Sequence, residues 1–268
     1  MSRLPINAEN AEYQIIKSLK LNRMKRNKLH EIFIEGTECI KQAIKSNMEI
    51  TRIVINDENK LSNWGKNIIR QHENAKIIEM TDHLYNELSE KANPPEMLVT
   101  AKIVPYRIND FYVNNPFILV SDRPGDHGNF GSLIRSANAF NVDGIFIMGH
   151  GIDIYEPKVI RASLGSIFFT KIMAMESMEV LMEYIKIQKA KNNMEVVGTD
   201  STGTASLENC KLKRPIMVIV GNEAKGISVK FWDICDKIIK IPMGGNINSI
   251  NVSCAASIIM WEIYKHEE

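Results

Sequence analysis

Cysteine, aromatic residues and long apolar runs are all scarce in this chain of 268 residues. Its four cysteines, Cys39, Cys210, Cys235 and Cys254, show no CxxC spacing and no histidine partner at metal-ligand spacing. That argues against a zinc site or a disulfide-built scaffold, so no metal is expected and reduced, mostly buried thiols are. No stretch approaches the roughly 20 apolar residues of a membrane-spanning helix. No N-terminal segment resembles a signal peptide, and a cytoplasmic protein with no membrane partner is expected. The dinucleotide pattern GxGxxG and the phosphate-loop endings GKS and GKT are missing too, and no internal repeat stands out.

What is present is the composition of an ordinary globular protein, 44% hydrophobic and 24% charged, which excludes disordered and collagen-like classes. The length suits two domains of ordinary size. Net charge is +1, and residues 1–106 are faintly basic, with 16 Lys and Arg against 14 Asp and Glu. Within that half Lys17, Lys20, Arg23, Lys25, Arg26 and Lys28 fall in twelve residues with no acid between them. Such a run is either a solvated helix end or a patch that faces phosphates.

Helical spacing covers residues 8–21, and helices are also expected over 36–46, 61–71 and 82–90. Short apolar runs at 32–34, 50–55, 76–80 and 97–104 alternate with them, which indicates an α/β layer domain over residues 1–106. Residues 107–116 lose periodicity and carry Pro and Asn, and are expected to be a linker. A second domain is expected over 117–268. Its strands are read at 117–121, 144–148, 168–172, 194–198, 216–220 and 237–241, and its helices at 132–140, 159–163, 177–189 and the C-terminal end. Apolar strands without polar alternation imply a parallel sheet covered on both faces.

Three polar loops follow strands of the second domain, where ligands of open α/β sheets lie. The first, SDRPGDHGNFGSLIR (121–135), is glycine-rich and opens a helix that carries Arg135. The second, GNEAKGIS (221–228), reads as a loop with Glu223 at a helix start, which alone is worth only about 0.3–1 kcal/mol. The third, IPMGGNINSINVS (241–253), crowds Asn246, Asn248, Ser249, Asn251 and Ser253 together just before an apolar helix. One capping residue would suffice for a plain helix start. Taken singly, each loop could be an ordinary turn.

Together they are more specific. Asn129, Gly131 and Arg135, then Gly221, Asn222, Glu223 and Gly226, then Ile241, Pro242, Ser249, Asn251 and Ser253 resemble the three motifs of the SpoU-type branch of the SPOUT RNA methyltransferases. The likeness covers most of residues 117–265, and RASLGS (161–166) resembles the segment which that family carries between its first two motifs. The N-terminal stretch FIEGTECIKQAI (33–44) with ITRIVI (50–55) is similar, more loosely, to the family's ribosomal-protein-like RNA-binding domain. Two departures are Asp126-His127 where Asp-Pro is frequent, and Ile250 where Leu is usual.

The resemblance implies an α/β fold whose C-terminal parallel sheet carries a deep trefoil knot, a rare exception to unknotted topology, and a smaller N-terminal α/β RNA-binding domain. It implies S-adenosylmethionine held largely by main-chain groups at Gly221, Ile241 and Ile250, with Thr199 and Met243 nearby. It implies catalytic roles for Arg135, Asn129, Glu223, Ser249 and Asn251, with Glu223 free to orient Arg135 by an ion pair. The Lys17–Lys28 run would then meet RNA phosphate. The implied activity is 2′-O-ribose methylation, on large-subunit rRNA because of the added domain, by a homodimer. The alternatives are a tRNA methyltransferase or a catalytically silent RNA-binding scaffold. The isolated histidines, His30, His72, His83, His150 and His266, fit no motif and are read as surface or loop residues.

Overall fold

The computed structural model describes residues 3–149 and 151–266; His150 lies outside them. Met1–Val104 and Asp153–Phe168 form one compact unit, and Pro105–Ile152 with Phe169–Glu268 form the other.

The first unit runs β1 (Arg3–Ile6), α1 (Ala11–Leu21), α2 (Arg23–Leu29), β2 (Glu31–Glu35), α3 (Thr37–Lys45), β3 (Ile50–Ile55), α4 (Asn63–Gln71), β4 (Lys76–Met80), α5 (Asp82–Leu88) and β5 (Leu98–Lys102). Its sheet has the order β1-β4-β3-β5-β2, parallel on the β1 side and antiparallel through β5. Asn10 caps α1, its side chain accepting from the Tyr13 N–H at 3.0 Å. The helix then buries Tyr13, Ile16 and Leu19 against Phe33, Val54 and Leu98 of the sheet. Each such burial contributes about 1.5–3 kcal/mol. β1 escapes a periodicity reading because it is four residues long and holds Pro5, which an edge strand tolerates.

The second unit begins with β6 (Phe117–Asp122), α6 (His127–Ala139) and β7 (Gly144–Met148). α7 (Pro157–Ala162) follows in the chain but belongs to the first unit. The chain continues with β8 (Ile172–Ala174), α8 (Met178–Asn192), β9 (Glu195–Thr199), β10 (Ala205–Ser206), β11 (Ile216–Val220), α9 (Val229–Trp232), β12 (Lys237–Lys240) and α10 (Val252–Tyr264). Its seven strands are all parallel, in the order β10-β12-β9-β11-β6-β7-β8. Every residue of β6, β7 and β11 is buried, the signature of a sheet covered on both faces. Phe146 and Tyr184 pack edge to face in the core, ring centroids 5.0 Å apart.

Three sequence expectations are corrected. Residues 105–116 pack with the second unit and are no free linker: they hold a 3-10 turn at Ile108–Phe111, and Phe111 is buried against Phe146. No strand spans 168–172. Leu164 and Gly165 both take positive φ, of 49° and 81°, and tighten the chain into a 3-10 turn at Ser166–Phe169. Finally, the RASLGS segment lies in the first unit, on α3. A side chain at Gly165 would come within 2.6 Å of Gln42 Cβ, so only glycine allows that approach.

Arg26 explains part of that placement. The basic stretch after α1 is a second helix, capped by Asn22 and closed by His30 in the left-handed region, and its charges are solvated except at Arg26. Arg26 on it is only 1% exposed. Its guanidinium binds Asp153 (Nε to Oδ2, 3.1 Å) and Glu156 (Nη2 to Oε2, 2.8 Å), and donates to the Leu19 and Lys20 carbonyls. Five donors on a rigid fork can satisfy that many partners at once, which a lysine cannot.

Candidate active site

Four neighbouring strands, β12, β9, β11 and β6, end level with one another. Thr199 pairs in register with both Val220 and Ile239, and Val220 pairs with Ser121. Because the strands are parallel, the loops leaving them emerge at one edge of the sheet, the ordinary ligand position of this architecture. Those loops are residues 123–126, 200–204, 221–228 and 241–251.

Asp122 and Arg123 tie the first loop to the third. Asp122 is buried and binds Arg123 through both oxygens, at 3.0 and 2.8 Å, while accepting from the Ser228 N–H at 2.8 Å. Those hydrogen bonds hold the Arg123 guanidinium above its ordinary range. Arg123 itself reaches the Gly226 carbonyl at 3.2 Å. Neither residue was singled out from sequence, and the available signal was an acid closing an otherwise apolar strand.

Residues 222–226 form a tight turn, closed in both directions between Asn222 and Gly226 at 3.0 and 2.9 Å. Asn222 Oδ1 accepts from the Ala224 and Lys225 N–H groups, and Gly226 has φ +63°. Glu223 is therefore at the tip of a turn and not at a helix start; α9 begins six residues later. Gly221 lies against the same turn, where a side chain would come within 2.2 Å of the Gly226 carbonyl carbon.

Asn251 caps α10, its Oδ1 accepting from the Ser253 N–H at 2.9 Å and Ser253 Oγ at 2.6 Å. Its Nδ2 donates to Asn129 Oδ1 at 2.7 Å, and Asn129 Nδ2 reaches Glu223 Oε1 at 3.4 Å. Asn129 is in turn fixed by Asp126, the cap of α6, at 2.7 Å from its N–H. One chain of amide contacts thus joins the three polar loops.

These groups open on a cavity of about 660 Å³. Asn129, Glu223, Ser249 and Asn251 line it, as do Gly221, Thr199, Ile241, Met243 and Ile250. Arg135 does not line it: it is exposed on α6 and makes no ion pair or hydrogen bond among the described residues, so the Glu223 pair is not formed. The walls fit a nucleoside-bearing ligand, with apolar Ile241, Ile250 and Met243 on one side and the side-chain-free backbone at Gly221 on the other. A larger cavity of about 750 Å³, lined by Asn115, Asp143 and Arg214, holds none of the expected residues. No cluster of His, Cys, Asp and Glu among the described residues could hold a metal ion, and no helix among them is long and apolar enough to cross a membrane.

In the first unit the basic run divides. Lys25 and Lys28 are exposed, as is Arg23, but Arg26 and Lys20 are buried. Lys17 pairs with Glu9 and Glu87 at 3.4 and 3.6 Å. The inward turn of Arg26 removes it from any nucleic-acid surface, because its donors are already spent on protein oxygens.

Known proteins match this arrangement along its length. The SpoU rRNA Methylase family matches residues 116–261, and the SpoU L30e-like domain matches residues 10–99. The 23S rRNA (uridine(2479)-2′-O)-methyltransferase of Streptomyces viridochromogenes is 30% identical over 260 residues, 96% of this chain and 90% of that protein. The crystal structure of the SpoU methyltransferase AviRb from the same organism, in complex with the cofactor AdoMet, matches with a TM-score of 0.90 at 30% identity, covering 97% of this chain and 98% of its own. A crystal structure of an RNA 2′-O ribose methyltransferase matches with a TM-score of 0.81 at 26% identity over 98% and 99% of the two chains. With both domains matched and the amide-linked loops in place, the chain belongs to the SpoU rRNA methylase family.

Proposed function

We propose that the protein is an S-adenosylmethionine-dependent RNA 2′-O-ribose methyltransferase acting on large-subunit rRNA in the cytoplasm. The observation that carries this reading is the Asn251–Asn129–Glu223 chain at the mouth of a cavity with apolar and main-chain walls. Matching of both domains to rRNA-methylating relatives supports the choice of RNA.

S-adenosylmethionine, when bound, supplies a methyl group already activated by its sulfonium. What the protein adds is placement, and holding a weak hydroxyl nucleophile in line accounts for much of the rate. Gly221, Ile241 and Ile250, with Thr199 and Met243, hold the methyl donor. Asn129 and Asn251, each able to donate and accept, orient the ribose, and Ser249, whose hydroxyl is exposed, meets a phosphate. Glu223 keeps Asn129 in position. Arg135 orients the nucleotide through its phosphate; a guanidinium stays protonated, so it serves as a positioning cation and not as a base. Arg23, Lys25 and Lys28 extend the RNA contact.

The active form is a homodimer. Support comes from α10, which leaves Ile258 41% and Trp261 51% exposed, beside Phe140 and Tyr264 in an aromatic cluster. Ser257 on α10 bonds Ser136 on α6 at 2.7 Å, so α10 packs along the helix that carries Arg135. With the α10 face buried against a second copy, Arg135, which does not line its own cavity, would serve that of the second copy. The path of β12 between β9 and β10 supports the knot: residue 203 must be glycine because a side chain there would come within 2.7 Å of the Ile239 backbone.

The deciding experiment is transfer of labelled methyl from S-adenosylmethionine to rRNA and tRNA taken from cells lacking the gene, with mapping of the modified ribose. Incorporation at one position of large-subunit rRNA is expected. Incorporation into tRNA alone would assign the tRNA alternative. No detectable S-adenosylmethionine binding by calorimetry would make the protein a scaffold. A monomer by sedimentation would remove the dimer.

A further inference from the structure

A second cleft, of about 540 Å³, opens in the same unit beside the first. Asn222 and Lys225 line both, so the 222–226 turn separates them. The floor is apolar: Pro124 and Ile152 are buried, and Gly149 adds bare backbone. A side chain at Gly149 would come within 2.7 Å of Arg123 Cγ, so the Arg123 methylenes pack over this glycine and complete the apolar floor.

The rim carries Arg123, Lys225 and His127, with Lys225 as its uncompensated cation. Arg123 uses Nε and Nη2 on Asp122, which balances its charge, while Nη1 makes no hydrogen bond among the described residues. Lys225 is exposed and has no ion pair among them, and His127 stands at the first position of α6. The apolar floor and the rim cation together match one kind of ligand, a molecule with an apolar planar part and an anionic group attached to it. A nucleotide is that ligand: bases lie on apolar surfaces, and phosphates find Lys and Arg.

We propose that this cleft seats an unstacked nucleotide of the substrate RNA, its base against Pro124, Ile152 and Gly149, and its phosphate on Lys225 and His127. The inference rests on the RNA methyltransferase reading and deepens it. Glu223, which lines the first cavity, stands 3.7 Å from where a side chain at Gly125 of the second cleft would begin, so the two linings adjoin and the seated nucleotide would be close to the reacting one. Only an unpaired base can enter, which directs the enzyme to single-stranded loops or bulges.

The test uses rRNA from cells lacking the gene and labelled S-adenosylmethionine, with calorimetric affinity for S-adenosylmethionine as control. Lys225→Ala and His127→Ala are expected to raise KM for RNA by about tenfold, with kcat and cofactor affinity within about twofold of wild type. A charged phosphate contact has a further signature that lost packing does not: for single-stranded RNA, the dependence of log affinity on log salt should flatten by about 0.7 in Lys225→Ala. Lys225→Arg should restore both values. Ile152→Trp, which fills the floor, should raise KM and leave the salt slope unchanged. If the wild type is active and KM is unaltered in Lys225→Ala and His127→Ala, or the salt slope is unaltered in Lys225→Ala, the cleft assignment is wrong. A loss of cofactor affinity as large as the rise in KM would also overturn it, showing that Lys225 serves the cofactor and not the RNA. A wild type that methylates no RNA overturns the underlying functional reading instead.

Discussion

Asn251 donates a hydrogen bond of 2.7 Å to Asn129, a residue 122 positions earlier in the chain. The same side chain caps α10, so Asn251 carries a local duty with its oxygen and a long-range duty with its nitrogen. The two can be separated. Asn251→Asp keeps an acceptor for the cap and loses the donor, and its charge faces Asn129 Oδ1. Thermal stability close to wild type is expected, with methyl transfer reduced at least tenfold. Asn251→Ala removes both, and should add a loss of about 1–2 kcal/mol measured by denaturant unfolding. Equal activity in Asn251→Asp and wild type would remove Asn251 from the site.

Gly221 is packed against backbone, which has little room to yield. Gly221→Ala would drive a methyl to 2.2 Å from the Gly226 carbonyl carbon and 2.3 Å from the Ile227 nitrogen. Displacement of the 222–226 turn is expected, with S-adenosylmethionine affinity falling at least tenfold by calorimetry. At Gly244 nothing lies within 4 Å of an added carbon, and Gly244→Ala should leave the melting temperature unchanged.

Arg26→Ala leaves Asp153 and Glu156 facing each other without their cation. Breaking a buried ion cluster from one side costs about 3–5 kcal/mol, read as a lowered denaturant midpoint. Lys25→Ala and Lys28→Ala, both at exposed positions of the same helix, should change stability by no more than about 0.5 kcal/mol. If RNA binding follows the charge of this helix, Lys25 and Lys28 will weaken it and Arg26 will act only through folding.

Glu12 sets an acid limb. Burial alone would push its carboxyl up, but hydrogen bonds from Lys76 at 2.7 Å and Arg52 at 2.5 Å outweigh burial and hold it below the ordinary carboxylate range. A carboxyl lowered on folding adds stability that is full above the unfolded value and is lost as pH falls through the folded one. Melting temperature should therefore decline below about pH 4. In Glu12→Gln that acid-side decline should be shallower; an unchanged profile would show that Glu12 does not contribute to it.

Much of this molecule is readable from its residues because the relevant forces act over short distances in sequence. The apolar runs of β6, β7 and β11 announce buried parallel strands since both faces must avoid water. Helical spacing of Ile15, Ile16, Leu19 and Leu21 does the same for α1, although the helix turns Tyr13, Ile16 and Leu19 inward and leaves Leu21 exposed. The three loops stand out because they carry polar groups in excess of what capping needs, and the resemblance of their motifs to the SpoU-type methyltransferases is what named the site residues. β10 was invisible for the opposite reason, since two residues hold no periodicity. Asp122 and Arg123 were missed because one acid and one base in succession read as an ordinary solvated pair, and only burial reveals that they lock two loops.

Sequence by itself determined the α/β class, because hydrophobic periodicity and turn chemistry are local properties, and the family likeness, because the three motifs can be read position by position. Tertiary structure alone decided which of their residues meet. It placed Asn129, Glu223 and Asn251 in one chain of contacts, left Arg135 on an outer face, and turned Arg26 from a presumed phosphate contact into a buried anchor. The physical reason is that a charged side chain goes where its donors can be satisfied. Spacing along the chain does not reveal that Asp153 and Glu156, more than a hundred residues away, stand ready to satisfy them.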